Sequence, residues 1–101
     1  MTVRGVEHIG ITVPDIEQAT EFFVKAFDAI YMYDITDSPI AGEWIESSLG
    51  VPEKTVIEAI RVLRLGNGPN IELFVYSNTE QQAAARPCDL GIQHLVSRVV
   101  D

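Results

Sequence analysis

Residues 3–13, VRGVEHIGITV, alternate between apolar and polar as a half-buried strand does. Ile9, Ile11 and Val13 fall on one face, and Val6, His8, Gly10 and Thr12 on the other. The first face is uniformly apolar and must pack on something. The second is small and mixed, as the lining of a cleft is. Pro14-Asp15 ends the alternation. Asp15 is suited to cap a helix, and Gln18, three residues on, can complete a capping box. The spacing then changes and predicts a helix over 16–27. Its apolar stripe is Ile16, Ala19, Phe22, Phe23, Ala26 and Phe27, and Glu17, Gln18, Glu21, Lys25 and Asp28 make the polar side.

Residues 30–36, IYMYDIT, are β-prone and predict a second strand. From 37 to 54 the pattern breaks at Ser38-Pro39, Gly42 and Gly50-Val51-Pro52, leaving room for a short helix near 42–49. A connection this long is more often functional than idle. Trp44 within it either covers a pocket, where it would touch substrate, or pins the segment to the core. Residues 55–65 and 70–77 predict two further strands. They are joined by Gly66-Asn67-Gly68-Pro69, and Asn-Gly is a strong hairpin signal because both residues tolerate positive φ. In the last of these strands Ile71, Leu73 and Val75 share one face, and Asn70, Glu72, Phe74 and Tyr76 the other. Residues 78–90 are polar, alanine-rich and end near Pro87, so they read as a linker. Residues 91–100, GIQHLVSRVV, predict a fifth strand. The expected organisation is α+β: a β-α-β-β-β module over 1–77, the linker, and one more strand.

Composition narrows the possible partners. The 101 residues carry 15 acids against 7 bases, a net charge of −8, with the bases scattered. That excludes a basic stripe for nucleic acid and disfavours an anionic membrane surface. No apolar run approaches the roughly 18 residues that span a bilayer. Cys88 has no second cysteine to pair with, and nothing beside it marks an activated thiolate. These features lead to the expectation of a cytoplasmic, soluble protein. Arg61, Arg64 and Arg98 either form a solvated face or bind an acidic substrate such as a coenzyme A thioester.

The first and last strands resemble each other. Gly5-Val6-Glu7-His8-Ile9 aligns with Gly91-Ile92-Gln93-His94-Leu95, Val13 with Val99, and the helix-capping Asp15 with Asp101. The sequence thus reads as one module, a linker and the opening strand of another. In this order, VEHIGITVPDIEQATEFFVKAF, NIELFVYS and DLGIQHLVSRVVD resemble the vicinal oxygen chelate superfamily, which includes glyoxalase I, methylmalonyl-CoA epimerase, extradiol dioxygenases and bleomycin-resistance proteins.

The resemblance implies a cupped mixed sheet with a helix on its outer face, and metal ligands on the first and last strands of each module. It makes His8 and Glu72 ligands from the complete module and His94 the first-strand ligand of the next. The fourth ligand, a glutamate late in a second module, has no counterpart in this sequence. Two imidazoles and a carboxylate suit Zn, Ni, Co, Mn or Fe and leave open positions for a bidentate oxygen substrate. The metal would stabilise an enolate, so proton transfer alpha to a carbonyl, by a lyase, isomerase or epimerase, is the implied chemistry. Glu72 is also the one candidate for a catalytic role, and Phe74 and Tyr76 would wall the cleft. Open sheet edges and a bare cup face imply a homodimer that completes the site. Two other readings fit the sequence: a metal-free binding protein of the bleomycin-resistance type, and an inactive family member.

Overall fold

The computed structural model describes residues 1–100. Six elements follow one another: β1 (His8–Thr12), α1 (Ile16–Phe27), β2 (Ile30–Asp34), α2 (Glu43–Leu49), β3 (Val56–Arg64) and β4 (Asn70–Ser77). The four strands form one mixed sheet in the order β1-β4-β3-β2. β1 runs parallel to β4, and the other two pairings are antiparallel. The expected β-α-β-β-β module is present, with the short helix α2 added in the 37–54 segment.

Local chemistry accounts for the bounds of α1. The Asp15 carboxylate accepts the Gln18 backbone N–H at 2.8 Å, which satisfies one of the free donors at the helix start. At the other end Asp28 adopts a left-handed conformation (φ 56°), and the Ala29 N–H donates back to the Phe23 carbonyl at 3.1 Å. Lys25 and Glu21 pair along the exposed side.

The sheet has two packed faces. On one, Ile16, Ala19 and Phe23 of α1 lie on Leu63, Ile71 and Leu73. Only that narrow line of the expected stripe is used. Phe22 stays 55% exposed, and its ring packs against Phe23 and Phe27 rather than on the sheet. On the other face, Ile45 of α2 joins Ile57 and Ile60, with Ile40, Val51, Phe74 and Tyr76 around them. The residue that pins the 37–54 segment is therefore Ile45, at 0% exposure, whereas Trp44 is 49% exposed. Ile45→Ala is expected to cost about 3 kcal/mol, a typical penalty for emptying a filled aliphatic site. Trp44→Ala is expected to cost under about 1 kcal/mol, because the ring remains wet. Urea unfolding of the two variants checks the contrast.

Two sequence expectations need correction. The first strand begins at His8, not near residue 3, because its partner β4 begins at Asn70 and leaves nothing for residues 1–6 to pair with. Residues 91–100, expected as a fifth strand, pair with no other strand and lie outside the sheet. A strand exists only by pairing, and in one chain no free edge is laid against this segment. Asp101, expected to cap a further helix, lies outside the described residues. Among the described residues, no helix is long and apolar enough to cross a membrane.

Candidate metal centre and its surroundings

The parallel β1–β4 register sets Gly10 beside Glu72, and His8 beside Asn70. His8 is thus diagonal to Glu72 on the same face. Gly10 puts no side chain between them. A Cβ there would lie 3.3 Å from Cε1 of Phe74, so glycine also lets that ring rest against β1. On the other side of Glu72, Val62 of β3 is buried and apolar. The Glu72 side chain keeps only 15% of its exposure, against 45% for His8. A carboxylate so enclosed needs a cationic or hydrogen-bonding partner. The partner present is Nε2 of His8, 3.2 Å from Oε2 of Glu72.

Glu7 completes the group, contacting Nδ1 of His8. Strand alternation would send residues 7 and 8 to opposite faces. Residue 7, however, lies just before β1, where the pleat does not bind it, and its carbonyl accepts the Asn70 N–H at 3.0 Å. The Glu7 carboxylate is the largest influence on His8, raising its pKa above the ordinary imidazole value; desolvation opposes this, and the charge of Glu72 adds to the rise.

One oxygen or nitrogen from each of Glu7, His8 and Glu72 falls within 4.8 Å of the others. Ligand bonds of about 2.0–2.2 Å around one ion place neighbouring donors roughly 3 Å apart, which the His8–Glu72 separation meets. With Glu7 on Nδ1, the imidazole is held so that Nε2 faces Glu72. That is the arrangement by which a carboxylate orients a ligating histidine. Glu7 was not legible in the sequence as a site residue; its only signal is its place beside His8.

The other expected site residues are distributed differently. Phe74 and Tyr76 stack 5.8 Å apart on the same face as Glu72. His94 is exposed in the C-terminal segment and does not join the group around His8. Trp44 sits on the exposed side of α2. Arg61 is neither solvated nor free for a substrate: its side chain is 11% exposed and faces α1. It bonds both oxygens of Asp34, Glu17 at 3.0 Å and Thr20 at 3.2 Å, and lies 4.6 Å over the Tyr31 ring. Cys88 is exposed and unpaired. A hollow of about 490 Å³ lies by Ile9, Phe23 and Phe27, and none of Glu7, His8 and Glu72 lines it.

The topology matches that of a known protein. The structure superposes on a glyoxalase family protein from Bacillus cereus with a TM-score of 0.68, covering 91% of this chain and 60% of that one at 19% identity. The chain therefore has a glyoxalase-type fold. In sequence it is 38% identical, over 108 aligned residues, to a 2-epi-5-epi-valiolone epimerase from an Actinomyces species. The alignment takes in 100% of this chain and 58% of that relative, so the chain spans a little over half the relative's length. No protein-family model matches the chain.

Proposed function

We infer that this chain is one module of a metal-dependent epimerase acting alpha to a carbonyl. The observation that carries the reading is the enclosed Glu72 carboxylate set 3.2 Å from Nε2 of His8, with Glu7 behind the imidazole. His8 and Glu72 would ligate the ion, and Glu7 would hold the imidazole in place. A divalent ion of the Zn, Ni, Co, Mn or Fe kind would supply Lewis-acid polarisation of the carbonyl. The chain's own residues would do the rest. Phe74 and Tyr76 would wall the cleft and exclude water, and inversion would need one acid–base group on each face of the carbon, one to take its proton and one to give a proton back. Glu72 would serve one face, and the group on the other would come from a second module.

The epimerase activity named for the Actinomyces relative supports the reaction class. In this reading, residues 78–90 link the module over 1–77 to the 91–100 segment, which would become a strand only on pairing with another copy. His94 would reach a centre only by pairing between copies, so the working unit would be a homodimer, which the unpaired edges of β1 and β2 allow.

The test is to incubate the chain with 2-epi-5-epi-valiolone in D₂O, separately with each of the five metals, and to follow the carbon next to the carbonyl by NMR. Metal-dependent deuterium incorporation is expected, from protein that light scattering shows to be dimeric. No exchange with any of the metals, from a well-folded dimer, sinks the proposal.

A further inference from the structure

The hollow of about 490 Å³ lies on the α1 side of the sheet, the face opposite His8 and Glu72. Its volume falls within the range of small-molecule sites, roughly 300–1,000 Å³. Phe23 and Phe27 of α1, Ile9 of β1 and Ile71 of β4 line it, together with the turn at 66–69 and part of the 95–100 segment. Ile71 is buried, but Phe27 is 38% exposed and Val96 86%. The hollow therefore leaves apolar surface wet, which an apolar occupant would cover.

Its charge is unlike that of the chain around it. The sequence has 15 acids against 7 bases, yet none of the described residues lining the hollow is acidic. Arg98 is the one charged side chain among them. Arg61 and Arg86 are each taken up by carboxylates of the chain itself. At the turn, Nε of Arg64 donates to the Gly66 carbonyl at 3.3 Å, which keeps a second cation beside the hollow.

We propose that this hollow binds an apolar chain ending in one carboxylate, with the chain against Phe23 and Phe27 and the head on the Arg98 guanidinium. A guanidinium presents a planar fork of donors that a carboxylate matches. A small inorganic anion would leave the phenylalanine wall wet, and a neutral apolar molecule would leave the cation unused. The sheet stands between the hollow and His8 and Glu72, so this ligand is not the substrate of the proposed metal centre. Part of the wall is the 95–100 segment, which the homodimer reading pairs with another copy. Pairing would take that wall away, so the ligand would favour the single chain by mass action.

The experiment titrates sodium octanoate, below its micelle concentration, into the 15N-labelled chain and follows amide shifts of residues 65–68 and 95–100. Saturable shifts are expected in both stretches. 1-Octanol is expected to bind roughly tenfold more weakly, for want of one charged hydrogen bond, and acetate not at all. Arg98→Gln should lower octanoate to the octanol affinity and leave octanol unchanged, and Arg98→Lys should restore part of the difference. Val96→Asp, at an exposed position where folding is not at risk, sets a carboxylate in the wall and should remove binding of both. His8→Ala should bind octanoate as the wild type does, so failure of the metal reading and failure of this one are distinguishable. Light scattering should show octanoate lowering the dimer fraction; a chain that is monomeric without octanoate sinks the dimer reading alone. Absence of saturable shifts in the wild type, equal octanoate binding by Arg98→Gln, or a dimer left intact at saturating octanoate overturns the proposal.

Discussion

Under the proposed ligation, Glu72→Ala is expected to abolish tight zinc binding, with a loss of affinity of at least about 100-fold, and His8→Ala to do the same. Removing an outer partner of a metal ligand costs roughly 10–100-fold, so removing a ligand itself should exceed the top of that range. Glu7→Gln keeps a hydrogen-bonding side chain but loses the charge, and about tenfold weaker binding is expected. The three variants therefore rank, and the ranking separates two ligands from one orienting residue. Equal losses for all three would instead make Glu7 a ligand.

Proton competition gives the same centre a pH signature. Only the neutral imidazole binds a metal. Because Glu7 and the charge of Glu72 raise the His8 pKa, the proton is held to a higher pH than in a free imidazole. Zinc affinity should fall as pH drops through that raised value, and the midpoint should move down in Glu7→Gln. In the metal-free chain the sign reverses. Protonated His8 favours the fold below the ordinary imidazole value, and that contribution is lost as pH rises through the raised one. Isothermal titration of zinc across pH, with chemical unfolding of the metal-free protein alongside, measures both.

The largest stability loss among polar positions is expected at Arg61. Its guanidinium lies under α1, bonded to Asp34 on β2 and to Glu17 and Thr20 on α1. Arg61→Ala should cost about 3 kcal/mol, because the ties from the sheet to the helix and to the edge strand go together. Asp34→Asn should cost less, about 1–2 kcal/mol, since Glu17 and Thr20 remain. The bond from Arg61 is the main cause that holds the Asp34 carboxyl below its usual range, ahead of the burial that opposes it and the Tyr31 hydroxyl that assists. A carboxylate with a lowered pKa stabilises above its unfolded value, near 4, and loses that contribution as pH falls through the lower folded value. The wild type should therefore lose stability in that acid window, and Asp34→Asn should show a shallower loss. Urea midpoints between pH 7 and pH 2.5 check it.

Much of this could be read from the sequence where one local rule dominates. The 16–27 helix is bounded by its own caps, and the 70–77 strand by the glycine turn before it and Asn78 after it, so both came out at the residues expected. That His8 and Glu72 meet on one sheet face was legible because the opposite face of each strand is wholly apolar. What escaped depends on neighbours far along the chain. β1 starts late because β4 does, and the 91–100 segment is no strand because no edge meets it. Arg61 looked like a surface residue because charge usually means solvent. Yet β3 lies between two strands with α1 over one face and α2 over the other, so alternation does not mark an exposed side. Glu7 carries no pattern at all; it is placed by the end of a pleat.

β1 and β4 are adjacent in space yet open and close the module. Joining them shuts a loop of about 60 residues, a larger entropic cost than the short turn between β3 and β4. The hairpin closes the shorter loop, whereas β1, five residues long and held from one side, is expected to arrive last and open first. An ion held between His8 and Glu72 would fasten that joint. Its occupancy would then be felt first as slowed amide exchange along residues 9–12, well before it raised the melting temperature of the whole chain.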